Sequence, residues 1–70
     1  MMPLTLADKD KEYTIQRVGG LSETRTHLEN LGFVTGGTVK VINSVGENLI
    51  VQVKESRVAL SSELAQKIMV

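Results

Sequence analysis

The stretch Leu28-Glu29-Asn30-Leu31-Gly32-Phe33-Val34-Thr35-Gly36-Gly37 reads as a helix end followed by a sharp return into a sheet. Leu28 and Leu31 lie three apart and share one helix face. Gly32 stands where helices most often stop, because glycine takes the left-handed conformation without a Cβ penalty. With Gly32 at C′, Leu28 is C3 and Phe33 is C″. Those two positions touch when a Schellman-type cap closes over apolar side chains. Gly36-Gly37 then gives a turn before the β-rich run Thr38-Val39-Lys40-Val41-Ile42. A phosphate-binding loop would set its glycines before a helix, with a lysine following. Here they precede a strand, so Leu28, Gly32, Phe33 and Gly36 read as a structural corner.

Toward the N-terminus, the helix is expected to run back from Leu31 to an N-cap at Ser22, with Glu23 suiting the positive end of the helix dipole. Its apolar stripe is narrow: Leu21, Leu28 and Leu31, with Thr24 between them. Such a helix lies on a sheet rather than inside a core. Ahead of it, Tyr13–Val18 reads as the first strand, ended by Gly19-Gly20. Tyr13 and Ile15 share a face there, and Arg17 carries that face out to a barrel rim. Asp8–Glu12 is a mixed-sign solvated loop. Thr5 could cap a single helical turn, with Asp8 three residues on as in a capping box.

Toward the C-terminus, Thr38–Val45 is the second strand, with Val39 and Val41 on one face and Ile42 on the other. Gly46-Glu47 is a hairpin turn of II′ character. The third strand is Asn48–Lys54, with Leu49, Val51 and Val53 inward and Ile50 outward. Glu55-Ser56 reads as a second tight turn, without the glycine such turns prefer. Arg57–Leu60 follows as the fourth strand, with Val58 and Leu60 inward. Ser61-Ser62-Glu63 opens one helical turn ending at Gln66. Lys67–Val70 closes the fold with Ile68 and Val70 inward and Met69 outward. The expected fold is mainly β: one domain over residues 1–70, a small five-stranded barrel of the SH3 type. One helix is inserted after the first strand, and a short helical turn lies near the C-terminus.

Composition limits the function. Tyr13 and Phe33 are the only aromatics among 70 residues, so the core must be aliphatic. Lys plus Arg and Asp plus Glu are 8 each, giving zero net charge. A nucleic-acid binder usually carries a basic excess and stacking aromatics, so that class is disfavoured. There is no cysteine, hence no disulfide, thiolate ligand or thiol nucleophile. No apolar run nears the roughly 20 residues a bilayer span needs, and the N-terminus does not read as a signal peptide. A cytoplasmic protein without direct membrane insertion is expected. His27, the sole histidine, reads as an exposed helix residue. Ser22, Ser61 and Ser62 read as helix caps, since no nucleophile-elbow spacing is present. No catalytic, cofactor-binding or metal-ligating residue stands out, and the protein is not expected to be an enzyme.

The chain resembles the ferrous iron transport protein A family, FeoA, over nearly its whole length. The resemblance rests on Pro3-Leu4-Thr5-Leu6, Tyr13-Thr14-Ile15, Leu28-Glu29-Asn30-Leu31-Gly32-Phe33, Gly36 and Thr38-Val39-Lys40-Val41. It is closest at the end, in Val51-Gln52-Val53, Ser56-Arg57-Val58-Ala59-Leu60, Glu63-Leu64-Ala65 and Ile68-Met69-Val70. The helix-to-glycine corner together with this C-terminal pattern is fairly specific. The chain departs where the family often has Pro-Gly in place of Thr35-Gly36, and a glycine near Lys11 and near Glu55. A similar module ends iron-dependent repressors, but no DNA-binding helices precede it here.

The resemblance implies an SH3-like cytoplasmic accessory of ferrous iron uptake. Its partner would be the membrane transporter FeoB, which carries a cytoplasmic GTP-binding domain, and the protein would reach the inner membrane only through that partner. The implied role is binding, with modulation as a further step. An alternative is a GTPase activator, for which Arg25 is the leading candidate and Arg17 and Arg57 follow. A nucleic-acid-binding small barrel is the third reading. The partner surface is expected on the helix, at Leu21 and Arg25. Failing that, it falls on the outer sheet face around Ile50 and Met69.

Overall fold

Valines alternating with polar residues build the main sheet of the computed structural model, which describes residues 1–70. The chain runs through a 3₁₀ turn (Leu4–Leu6), β1 (Glu12–Thr14), β2 (Arg17–Val18), α1 (Ser22–Leu31) and β3 (Thr38–Val45). It continues through β4 (Asn48–Val53), β5 (Ser56–Ser61), α2 (Ser62–Ala65) and β6 (Ile68–Met69). One antiparallel sheet has the order β1-β3-β4-β5, and β2 pairs with β6 in a second. Val39, Val51 and Val53 are buried on the inner face of the larger sheet, with Leu60 beside them. Ile15, Leu28, Phe33 and Ile68 join them in one apolar cluster, which Leu4 closes from the N-terminal 3₁₀ turn. No polar or charged side chain is buried.

The expected first strand, Tyr13–Val18, is broken in two. Ile15 is where the break occurs: its N–H donates to Gly37 O at 2.8 Å and its carbonyl accepts from Gly36 N–H at 2.8 Å. The next residue, Gln16, donates instead to Met69 O at 2.7 Å. The chain thus leaves β3 and takes up β6 within two residues, and Arg17 pairs opposite Met69. Counted as one interrupted strand, β1 and β2 complete the five strands of an SH3-like barrel.

The reversal after α1 has a full set of hydrogen bonds. Gly32 has φ 111° and ψ 2°. Its N–H donates to Glu29 O at 3.0 Å, and Phe33 N–H donates to Leu28 O at 2.9 Å. These are the two bonds of a Schellman cap, and Leu28 and Phe33 are both wholly buried.

Several local expectations need correction. Thr5 caps nothing: the 3₁₀ turn starts after Pro3 and has no side-chain cap. Ser22 is the first helical residue rather than the N-cap. That position belongs to Leu21, in extended conformation and without a side-chain cap bond. Ser61, in contrast, caps α2, its hydroxyl accepting from Leu64 N–H at 3.3 Å. The Asp8–Glu12 loop is exposed but pinned. Asp8 N–H donates to Tyr13 Oη at 2.9 Å, and Asp10 N–H donates to Val41 O at 2.7 Å.

The two hairpins of the main sheet differ in a telling way. Val45 pairs with Asn48, so the first turn is Gly46-Glu47, with Gly46 at φ 59°. Val53 pairs with Ser56, so the second turn is Lys54-Glu55 and not Glu55-Ser56. It places Lys54 at φ 55°, where the first hairpin has glycine. Asp10 also has positive φ, at 63°. Both residues hold the left-handed conformation that glycine takes without a Cβ penalty.

Two stability predictions follow from these backbones. Gly32→Val forces a β-branched side chain into φ 111°, which costs about 1–3 kcal/mol. A cost of about 2 kcal/mol lowers the Tm of a domain this small by roughly 8–16 °C, and an unchanged melt would refute the assignment. Lys54→Gly removes a left-handed penalty of about 1–2 kcal/mol, offset in part by glycine's greater chain entropy. The expected net gain is about 0.5–1 kcal/mol, measured by urea denaturation.

Candidate partner-binding surface

Helix α1 is anchored by few side chains. Leu28 is its one buried residue, and Leu31 packs partly against the core. Thr24 is half-buried, while Ser22, Glu23, Arg25, Thr26, His27, Glu29 and Asn30 are exposed. A shallow polar hollow runs along Ser22, Glu23, Thr26, His27 and Asn30.

Leu21 does not belong to the core-facing stripe. It is 80% exposed, the highest value among the large hydrophobic side chains left at the surface. A hydrophobic staple needs an apolar mate in the first turns of the helix, and Arg25 and Thr26 offer none. The backbone around Leu21 is nevertheless fixed. Gly19 N–H donates to Lys67 O at 2.7 Å, and Leu21 O accepts from Arg25 N–H at 2.9 Å. Leu21 and Arg25 therefore stand one helical turn apart at the helix entrance, an apolar anchor beside an exposed guanidinium.

The other two candidate residues lie elsewhere. Ile50 is on β4, paired with Asn43 and Ala59, and is half-buried. Met69 is on β6, opposite Arg17, and is also half-buried. They belong to different sheets. Ile50 instead sits near a bulge in β3, where the register shifts between Val41 and Asn43.

One surface feature is absent from the sequence-level expectations. Glu12 pairs with Lys40, Lys40 with Gln52, and Gln52 with Arg57. Residues directly opposite share a sheet face, so these four side chains form a polar row across all four strands. Glu12, Lys40 and Gln52 of this row line a groove of about 320 Å³ that also takes in Lys54 and Gly32. The sequence signal is the outward parity of Lys40 and Gln52 between valines, but assembling the row requires the strand register.

The FeoA domain family matches residues 2–70. No curated protein matches the chain. Among solved structures, the chain is similar to FeoA of Stenotrophomonas maltophilia in complex with zinc, at 28% identity and TM-score 0.87, covering 99% of this chain and 88% of that one. That protein is described as a prokaryotic SH3 domain protein and a candidate activating factor of ferrous iron transport. A second crystal structure, of an iron uptake regulatory protein (FeoA), shares the fold at TM-score 0.87 and 24% identity, covering 96% of this chain and 91% of that one. ScaR with bound Cd2+ shares it at TM-score 0.85 and 23% identity, with 97% of this chain matching 33% of that chain.

No three His, Cys, Asp or Glu side chains group closely enough here to hold a metal ion. Ferrous iron should therefore bind the dilute protein weakly. An anaerobic calorimetric titration is expected to give no saturable one-to-one isotherm. Tight stoichiometric binding would show a ligand set that this geometry lacks.

Proposed function

The chain belongs to the FeoA family, whose domain spans residues 2–70, and from that premise we propose that it binds and modulates a FeoB-type ferrous iron transporter. The family's link to ferrous iron transport carries this reading. The protein would act in the cytoplasm, at the inner membrane only through its partner. No helix is long and apolar enough to cross a membrane, which fits docking on a transporter's cytoplasmic domain.

The docking surface in this reading is the entrance of α1. A rigid scaffold presenting an inserted element is a common arrangement for recognition. Leu21 would fill an apolar pocket of the partner, since large apolar residues left exposed gain most from being covered. Arg25 would pair with an acidic group beside that pocket. The same exposed arginine, held on a helix, favours the GTPase-activating variant of the proposal, because such assistance needs a rigidly presented guanidinium.

Arg25→Glu tests the surface. Reversing an exposed charge alters stability by only about 0.5 kcal/mol, whereas reversal inside an interface costs several kcal/mol of binding. The variant is expected to melt like the parent and to lose the transporter in a pull-down from membranes. A folded variant that binds normally would move the interface to the sheet face around Ile50. GTP turnover by the transporter, with and without the protein, separates activation from binding alone.

A further inference from the structure

The sheet edges are closed to different degrees. β6 lies between β2 and the N-terminal residues. Met2 and Val70 exchange both backbone bonds at 2.8 Å, and Pro3 bridges Met69. β1 is only three residues long. β5 is six residues long and pairs on one side alone, with β4.

The register says which groups face that open side. The two-residue turn makes Val53–Ser56 the hydrogen-bonded pair that closes the hairpin. Alternation along the ladder then makes Val51–Val58 and Leu49–Leu60 bonded pairs. Gln52–Arg57 and Ile50–Ala59 are the non-bonded pairs. The N–H and C=O groups of Arg57 and Ala59 therefore point away from β4. Neither residue makes a backbone bond outside the sheet. The strand has no proline, bulge or lysine to protect its edge, and Arg57 is its one charged residue.

We propose that β5 pairs with β5 of a second copy of this chain, antiparallel about a two-fold axis at Val58. In that register Arg57 lies opposite Ala59 of the second copy, and Ala59 opposite its Arg57. All the free groups of both residues are satisfied by mutual exchange. Val58, half-buried on the core side of its own sheet, meets its symmetry mate as a β-branched pair in the closer, non-bonded position. No like charges fall directly opposite, and zero net charge leaves no overall repulsion between copies. Other registers are poorer. Centring one residue earlier sets Arg57 against itself. Centring at Ala59 draws on the Ser61 carbonyl, which as N-cap already serves the first bond of α2. A strand-sized contact falls below the roughly 1,000 Å² of a stable interface, so the dimer is weak and forms only as concentration rises.

Sedimentation equilibrium of the whole chain tests this from about 10 μM to about 1 mM, where so small an interface would associate. The average mass should climb toward that of two chains. Ala59→Pro removes only an edge-facing donor, a place where a strand tolerates proline, and should leave a monomer with a near-parental melt. Ala59→Glu sets a carboxylate opposite Arg57 of the second copy, twice by symmetry, and should tighten association roughly three- to tenfold. Ala59→Lys should weaken it similarly. If Ala59→Pro fails to fold, the opposite responses of the Glu and Lys variants decide. Parent and Ala59→Glu chains that both stay monomeric would overturn the proposal, as would a dimer indifferent to these changes. Protection of the Arg57 and Ala59 amides by the transporter alone, in a monomeric chain, would overturn it in favour of a strand from that partner.

Discussion

The reversal at Gly32 is the constraint on which the other contacts depend. A helix ends with carbonyls that need donors, and the Gly32 and Phe33 N–H groups supply them by turning back on Glu29 and Leu28. That turn is what drives Phe33, the largest fully buried side chain, into the core. The chain leaves the turn aimed at Ile15, and Gly36 and Gly37 bond both backbone groups of that residue. One local conformation thus fixes the end of α1, the start of β3 and the point where β1 gives way to β2. The far side of the turn is equally tight: a Cβ on Gly32 would lie 3.4 Å from a methyl of Val53 on β4.

This economy in the core has a consequence for chemistry. The buried cluster is aliphatic apart from Phe33, and no buried side chain is polar. The interior therefore offers no titratable side chain, and every charged side chain lies at least partly at the surface. The proposed docking through Leu21 and Arg25 draws on such exposed groups alone.

Local signals made much of the fold legible in the sequence. Gly32 between Leu28 and Phe33, the alternating valines of β3 and β4, and the Ser61 cap of α2 each announce themselves within a few residues. The break at Ile15 does not. Tyr13, Ile15 and Arg17 alternate in the same way whether or not the strand changes partners, and the new partner, Met69, lies at the other end of the chain. The positive φ of Lys54 is likewise imposed by the Val53–Ser56 register, against the residue's own preference. The candidate surface was half legible. Arg25 could be placed on an outer helix face from spacing alone. Leu21 counted equally well as core or anchor until the helix start was fixed. The row from Glu12 to Arg57 exists only once three strand registers are known.

Small domains bury a modest share of their surface: 4457 Å² stays exposed here, against roughly 11,000 Å² for an unfolded chain of this mass. A chain with so little apolar burial to draw on would gain stability by covering Leu21. Instead the fold fixes both ends of the helix that carries it, through Gly19 and Lys67 at the entrance and the glycine cap at the exit. The backbone entropy that docking would otherwise cost is already lost on folding. A partner meeting Leu21 and Arg25 has only two side chains to order, at about 0.5–1.5 kcal/mol each. Fixing the backbone beneath an exposed apolar side chain lowers the cost of covering that side chain, and this is the physical ground for proposing the α1 entrance as the docking surface.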